Sequence, residues 1–88
     1  MGKLYQTAGI SEAIKTSRTF RGFVSESLYR YARCDWGEMD ADDVAANDEA
    51  VKTGDRIFAA YVSPDGDKIW IITESDRSYT TILFPDEY

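Results

Sequence analysis

Apolar residues along this chain recur at two different periods, and the period changes at Gly54. Before it, the strongest pattern is Phe20, Phe23, Val24, Leu28 and Tyr31, at offsets 0, 3, 4, 8 and 11. That is the spacing of one face of an α-helix. It predicts a helix from about Phe20 to Arg33 with Thr19 as its N-cap. Gly22 costs about 1 kcal/mol relative to alanine inside a helix, so it marks either close packing or the helix start. Upstream, Ile10, Ala13 and Ile14 support a shorter helix that Ser11 can cap, after a lead-in from Met1 to Gly9. Downstream, Cys34-Asp35-Trp36-Gly37 reads as a turn, with Trp36 covering the helix end. Asp40 is a good N-cap for a third helix, about Ala41 to Thr53. Asp42 and Asp43 suit its first turn, Lys52 its last, and Gly54 the residue after it. Ala41, Val44, Ala45 and Val51 form its expected inner stripe.

After Gly54 the residues turn β-branched and aromatic. Arg56 to Val62, Lys68 to Glu74 and Tyr79 to Phe84 are three strand candidates. Pro64-Asp65-Gly66 joins the first two, because proline presets φ and glycine takes the left-handed position. Glu74 to Ser78 joins the last two. The expected fold is α+β, with N-terminal helices packed on a C-terminal three-stranded antiparallel meander. It is read as one domain over residues 1–88, helical from about 10 to 54 and sheet from about 56 to 84.

The turn sets a register. Val62 faces Lys68, Ala60 faces Trp70 and Phe58 faces Ile72. One sheet face then carries Phe58, Val62, Trp70, Ile72 and Leu83; the other carries Ile57, Tyr61, Ile69, Ile71, Ile82 and Phe84. Both are apolar, whereas an antiparallel sheet with one wet face alternates. Helices covering both faces is the first expectation, and a second copy or partner on one face is the alternative.

Composition narrows the function. Eighty-eight residues bury only about 60–65% of their unfolded surface, so aromatic residues, 14% of the chain, must carry much of the core. There is no histidine, which excludes His-based triads, His metal sites and an imidazole base within the chain. One cysteine allows no internal disulfide, and no apolar run reaches membrane-span length. With no signal-peptide core, the expected location is cytoplasmic. The net charge of −6 is unevenly spread. Met1 to Arg33 carries +4, Cys34 to Asp55 carries −7, and the remainder carries −3. The basic stripe Arg18, Arg21, Arg30 and Arg33 suggests nucleic acid, but the overall charge opposes approach to phosphate, so no direct nucleic-acid partner is expected.

Candidate chemistry is sparse. Cys34 lies near Arg30 and Arg33, but Asp35 opposes thiolate formation, so it reads as a half-buried residue at a helix end. Counted from Asp40, an EF-hand would need glycine at position 6 and glutamate at 12; the chain has Ala45 and Val51. No metal and no cofactor is expected. Glu74, Asp76 and Arg77 cluster in the second hairpin turn, where carboxylates beside an arginine can serve acid–base or phosphate chemistry. They equally describe an ordinary polar hairpin, with Arg56 and Glu74 as a cross-strand pair.

Three stretches together resemble a known group: Arg30-Tyr31 with Cys34-Asp35-Trp36-Gly37; Gly54-Asp55-Arg56-Ile57 leading to Ala59-Ala60-Tyr61; and Ile69 to Tyr88. They resemble small acidic proteins of bacterial plasmids and prophages, a group without established chemistry. The resemblance implies a mobile-element setting, in which small acidic proteins often inhibit host defence complexes of the restriction or CRISPR type. The expectation is a non-catalytic protein that covers a basic protein surface. Asp40, Asp42, Asp43, Asp48 and Glu49 would imitate phosphate charge, with Trp36 as an aromatic anchor. The alternatives are a small enzyme or ligand-binding domain built on Glu74, Asp76 and Arg77, or a self-associating module such as a homodimer.

Overall fold

The structure is a computed structural model and describes residues 3–88; Met1 and Gly2, the start of the expected lead-in, lie outside the described residues. The fold is α+β. In chain order it runs β1 (Lys3–Gln6), α1 (Ala8–Thr16), α2 (Arg18–Ala32), α3 (Ala41–Thr53), β2 (Ile57–Val62), β3 (Lys68–Thr73), β4 (Tyr79–Leu83) and a 3-10 turn (Pro85–Glu87). The sheet has four strands in the order β1-β4-β3-β2. β1 is an addition to the expected meander, and it pairs with β4 in parallel, so the sheet is mixed. Its four residues are all exposed, and its strand state comes from pairing with a segment far along the chain.

The two N-terminal helices start earlier than their spacing predicts. Thr7, not Ser11, caps α1, its side chain accepting from the Ile10 amide. Ser17, not Thr19, caps α2, its Oγ accepting from the Phe20 amide at 3.1 Å. Ser17 also closes α1, so one extended residue serves as a hinge between both helices. The α2 stripe is real: Phe20, Val24 and Tyr31 are buried, and Phe23 and Leu28 pack against the core. Gly22 marks neither close packing nor the helix start. It is the fifth residue of α2, and a Cβ there would meet no atom within 4 Å.

α3 has the expected ends. Asp40 Oδ1 accepts from the Asp43 amide at 2.9 Å, and Gly54 closes the helix at φ 86°. Its inner face is different from the apolar stripe. Of the expected stripe, Val44 is partly buried and packs against the core, while Ala41, Ala45 and Val51 are exposed; the buried residues are Asn47 and Ala50. The cause is the sheet edge. β2 ends the sheet, and its outward backbone groups need partners. Asn47 Nδ2 donates to the Phe58 carbonyl at 2.7 Å, and its Oδ1 accepts from the Phe58 amide at 3.2 Å. Two residues on, the Ala60 amide donates to the Trp36 carbonyl, and the Glu38 amide donates to the Ala60 carbonyl at 2.7 Å. Gly37 allows this approach: it lies at φ 76°, and a Cβ there would overlap the Ala60 carbonyl oxygen.

The register of β2 to β4 is as read. Val62 faces Lys68, Ala60 faces Trp70 and Phe58 faces Ile72. Ile57, Tyr61, Ile69, Ile71 and Ile82 form the core with Ile10, Phe20, Val24, Tyr31 and Trp36. Helical cover of both faces does not occur in the expected way. The second face carries Ile72 and Leu83 buried, Phe58 and Trp70 half-buried, and Val62 exposed. Its cover is partly the C-terminal turn: the Tyr88 ring meets Trp70 edge-on at 5.7 Å, and Trp70 meets Phe58 at 4.8 Å. Glu87 anchors that turn. Its Oε1 accepts from Thr7 Oγ1 at 2.6 Å and from the Phe84 amide at 2.8 Å. Among the described residues, no helix is long and apolar enough to cross a membrane.

Candidate functional site

α3 displays its acids in the order that its start dictates. Asp40 caps it, and Asp42 and Asp43 sit in the first turn, where the helix dipole favours negative charge. Asp40, Asp42, Asp43, Asp48 and Glu49 are all exposed. At 3.6 residues per turn, Asp42 and Glu49 share the outward face, while Asp43 and Asp48 turn to opposite flanks. None of these acids has an ion-pair partner within 4 Å among the described residues. That holds for Lys52 too, although it stands four residues after Asp48 and three after Glu49. Asp42 and Glu49 thus present their charge to solvent, whereas Asp40 and Asp48 also accept hydrogen bonds from the Asp43 amide and the Trp36 indole, and Asp43 borders a cleft that holds Arg56 and Lys68.

Trp36 does not belong to that surface. It is 3% exposed, so it is not an anchor that a partner can reach. Its ring packs edge-on against Tyr31 at 5.4 Å, and its Nε1 donates to Asp48 Oδ1 at 3.0 Å. The turn that follows α2 is folded inward around it. Tyr61 donates its hydroxyl to the Asp35 carbonyl at 2.6 Å. Arg30 holds the Asp35 carboxylate with two bonds, at 2.8 and 3.2 Å, and lies over the Tyr61 ring. These bonds hold the Asp35 carboxyl below its ordinary range, and the Arg30 guanidinium above its own. Burial first, then the Asp35 charge, pushes the Tyr61 phenol up. So Asp48 has a structural task as well as a charge: it fixes the indole that seats this turn.

The second polar cluster is brought together, and each member is engaged with the fold. Arg77 reaches away from the hairpin to the end of α3. It donates to the Ala50 carbonyl at 2.8 Å, the Asp55 carbonyl at 2.7 Å and the Glu74 carbonyl at 3.3 Å. Asp76 Oδ1 accepts from both the amide and the hydroxyl of Ser78, which lowers its pKa. Glu74 stands 3.7 Å from Arg56, as the cross-strand reading expects. Arg77 therefore clamps the hairpin to the helix, with its positive charge on carbonyls at a helix C-terminus.

Cys34 is exposed rather than half-buried, and the chain leaves α2 through it at φ 62°. Inside the core, Tyr31, Thr73 and Thr80 form a hydroxyl chain with bonds of 2.6 and 2.7 Å. Burial raises the Tyr31 pKa. Sequence reasoning did not find this chain; two threonines among the strand isoleucines were its only signal. Among the described residues, no three His, Cys, Asp or Glu side chains are placed to hold a metal ion.

Two clefts flank these elements. One, of about 490 Å³, lies between α3 and the second sheet face, lined by Asp43, Asn47, Arg56, Phe58, Lys68 and Trp70 among others. Its acids and bases offset one another. The other, of about 450 Å³, lies between the start of α2 and the β2–β3 turn. The chain matches no protein-family model, no curated protein and no solved structure.

Proposed function

We propose that this chain is a small cytoplasmic, non-catalytic binding protein that covers a basic protein surface with the acidic face of α3. The observation that carries the reading is the concentration on one short helix of exposed acids without an ion pair among the described residues. Asp35, Asp76 and Glu87 are held by donors within the fold, and Glu74 by Arg56. Asp42, Asp43 and Glu49 are exposed on one helix with no ion pair among the described residues. Uncompensated charge of one sign raises encounter rates with an opposite partner by about 10- to 1000-fold. The engagement of Glu74, Asp76 and Arg77 with backbone and neighbours supports this reading over an enzyme at that turn. The mobile-element setting implied by the resemblance makes host defence complexes the partner class to examine.

The test is affinity capture with two baits, the wild-type chain and the variant Asp42→Asn/Asp43→Asn/Glu49→Gln. Asp48 is left intact because it holds Trp36. A basic protein retained by the wild type and lost by the variant supports the reading. Equal retention by both baits removes it. A second reading, self-association, draws on Tyr5, Val62 and Tyr79, which are 50%, 43% and 40% exposed on the second sheet face. Light scattering that shows a monomer at high concentration removes that reading.

A further inference from the structure

The cleft between α2 and the β2–β3 turn differs in character from the rest of the surface. Its apolar lining is Phe20, Phe23 and Pro64. Its charged lining is Glu26, Asp65 and Asp67, with no lysine or arginine. None of the three is ion-paired within 4 Å among the described residues. The Ser63 hydroxyl accepts the Asp65 and Asp67 amides at 3.2 and 3.0 Å, so the turn that presents these carboxylates is held in shape. A neutral apolar ligand would leave three carboxylates facing it, and an anion would be repelled. The chemistry fits a long apolar stem that ends in a positive charge.

A fourth observation is independent of charge. Gly22 lines the same cleft. It stands inside α2, where glycine is the least favourable residue short of proline. The fold does not need it: a Cβ there meets nothing within 4 Å, and its φ is not in the left-handed region. A side chain at this position would project into open space beside the cleft. Glycine keeps the cleft wall low at the expense of helix propensity.

We infer that this cleft is a docking pocket for a single arginine side chain of a protein partner, with the stem on Phe20 and Phe23 and the guanidinium at Asp65 and Asp67. Arginine is favoured over lysine because a planar guanidinium can bond two carboxylates at once. The pocket shares no residue with α3. The inference rests on the reading that the partner is basic, and it adds a place where one residue of that partner is recognised.

The probe is the peptide acetyl-Gly-Arg-Gly-amide, titrated into the full chain and followed by amide chemical shifts. Its control is the same peptide with citrulline, which keeps the shape and loses the charge. The expected result is saturable shifts at Gly22, Phe23, Ser63 and Asp65 with arginine only, weakening as salt rises. Asp65→Asn/Asp67→Asn and Gly22→Leu should each weaken binding at least tenfold. Gly22→Leu should melt no lower than the wild type, which separates a blocked pocket from a damaged fold. Equal shifts with citrulline, shifts confined to other surfaces, or unchanged affinity in Gly22→Leu would overturn the inference. These results leave the α3 reading untouched, since the capture experiment with the α3 variant decides that separately.

Discussion

Arg77→Ala separates a structural clamp from a catalytic arginine. The guanidinium donates to three carbonyls, two at 2.7 and 2.8 Å and one at 3.3 Å. Hydrogen bonds to charged groups contribute roughly 1.5–3 kcal/mol each. The bond to Asp55 is exposed and the longest is weak, so both are discounted. The loss should be about 2–3 kcal/mol. For a domain of this size that lowers Tm by roughly 8–24 °C. Alanine does not relieve the backbone, because Arg77 sits at φ 61° and any side chain is strained there. Arg77→Gly removes the same bonds and relieves that strain, so it should recover about 1 kcal/mol over alanine. The assay is thermal and urea unfolding of wild type, Arg77→Ala and Arg77→Gly, followed by circular dichroism. An Arg77→Ala chain melting within about 2 °C of wild type would refute the clamp.

Other outcomes follow from the same geometry. Asn47→Ala strips both side-chain bonds from Phe58 and reopens the β2 edge; a loss of about 2 kcal/mol with increased aggregation is expected by urea unfolding and light scattering. Gly22→Ala should raise stability by about 1 kcal/mol, measured by the same unfolding curves, because the added methyl group meets nothing. Asp35 is held below its unfolded pKa, so its contribution is present above the unfolded value near 4 and fades as pH falls through the lower folded value. The stability gap between wild type and Asp35→Asn should therefore shrink from pH 6 to pH 2.

What the sequence shows plainly is what local chemistry decides. The β2–β3 register follows from Pro64-Asp65-Gly66 and alternating apolar residues, and α3 follows from Asp40 and Gly54. What it hides is decided by contacts distant along the chain. β1 has only four exposed residues and no apolar alternation to betray it. The inner face of α3 centres on Asn47, a polar residue whose role is to satisfy a strand edge eleven residues away. Hydropathy therefore finds Val44 but misses Asn47 and Ala50, which carry the buried face. Trp36 in an acidic stretch suggests an exposed anchor, but its burial depends on Tyr31 and Asp48 closing around it. Arg77 next to two acids suggests a site, yet its partners are carbonyls 22 and 27 residues away. Of the candidate residues, the acids of α3 are placed by local rules, and these are the ones whose exposure the sequence conveys correctly.

The most direct test of the α3 reading is the association kinetics of the captured partner with wild type and with Asp42→Asn/Asp43→Asn/Glu49→Gln, at 50 and 300 mM salt. Removing three of these charges should lower the association rate about tenfold at 50 mM and change the dissociation rate little. At 300 mM the two chains should converge, because screening acts over a few ångströms there. An association rate and salt dependence that are the same in both chains would contradict the claim that α3 meets a basic surface.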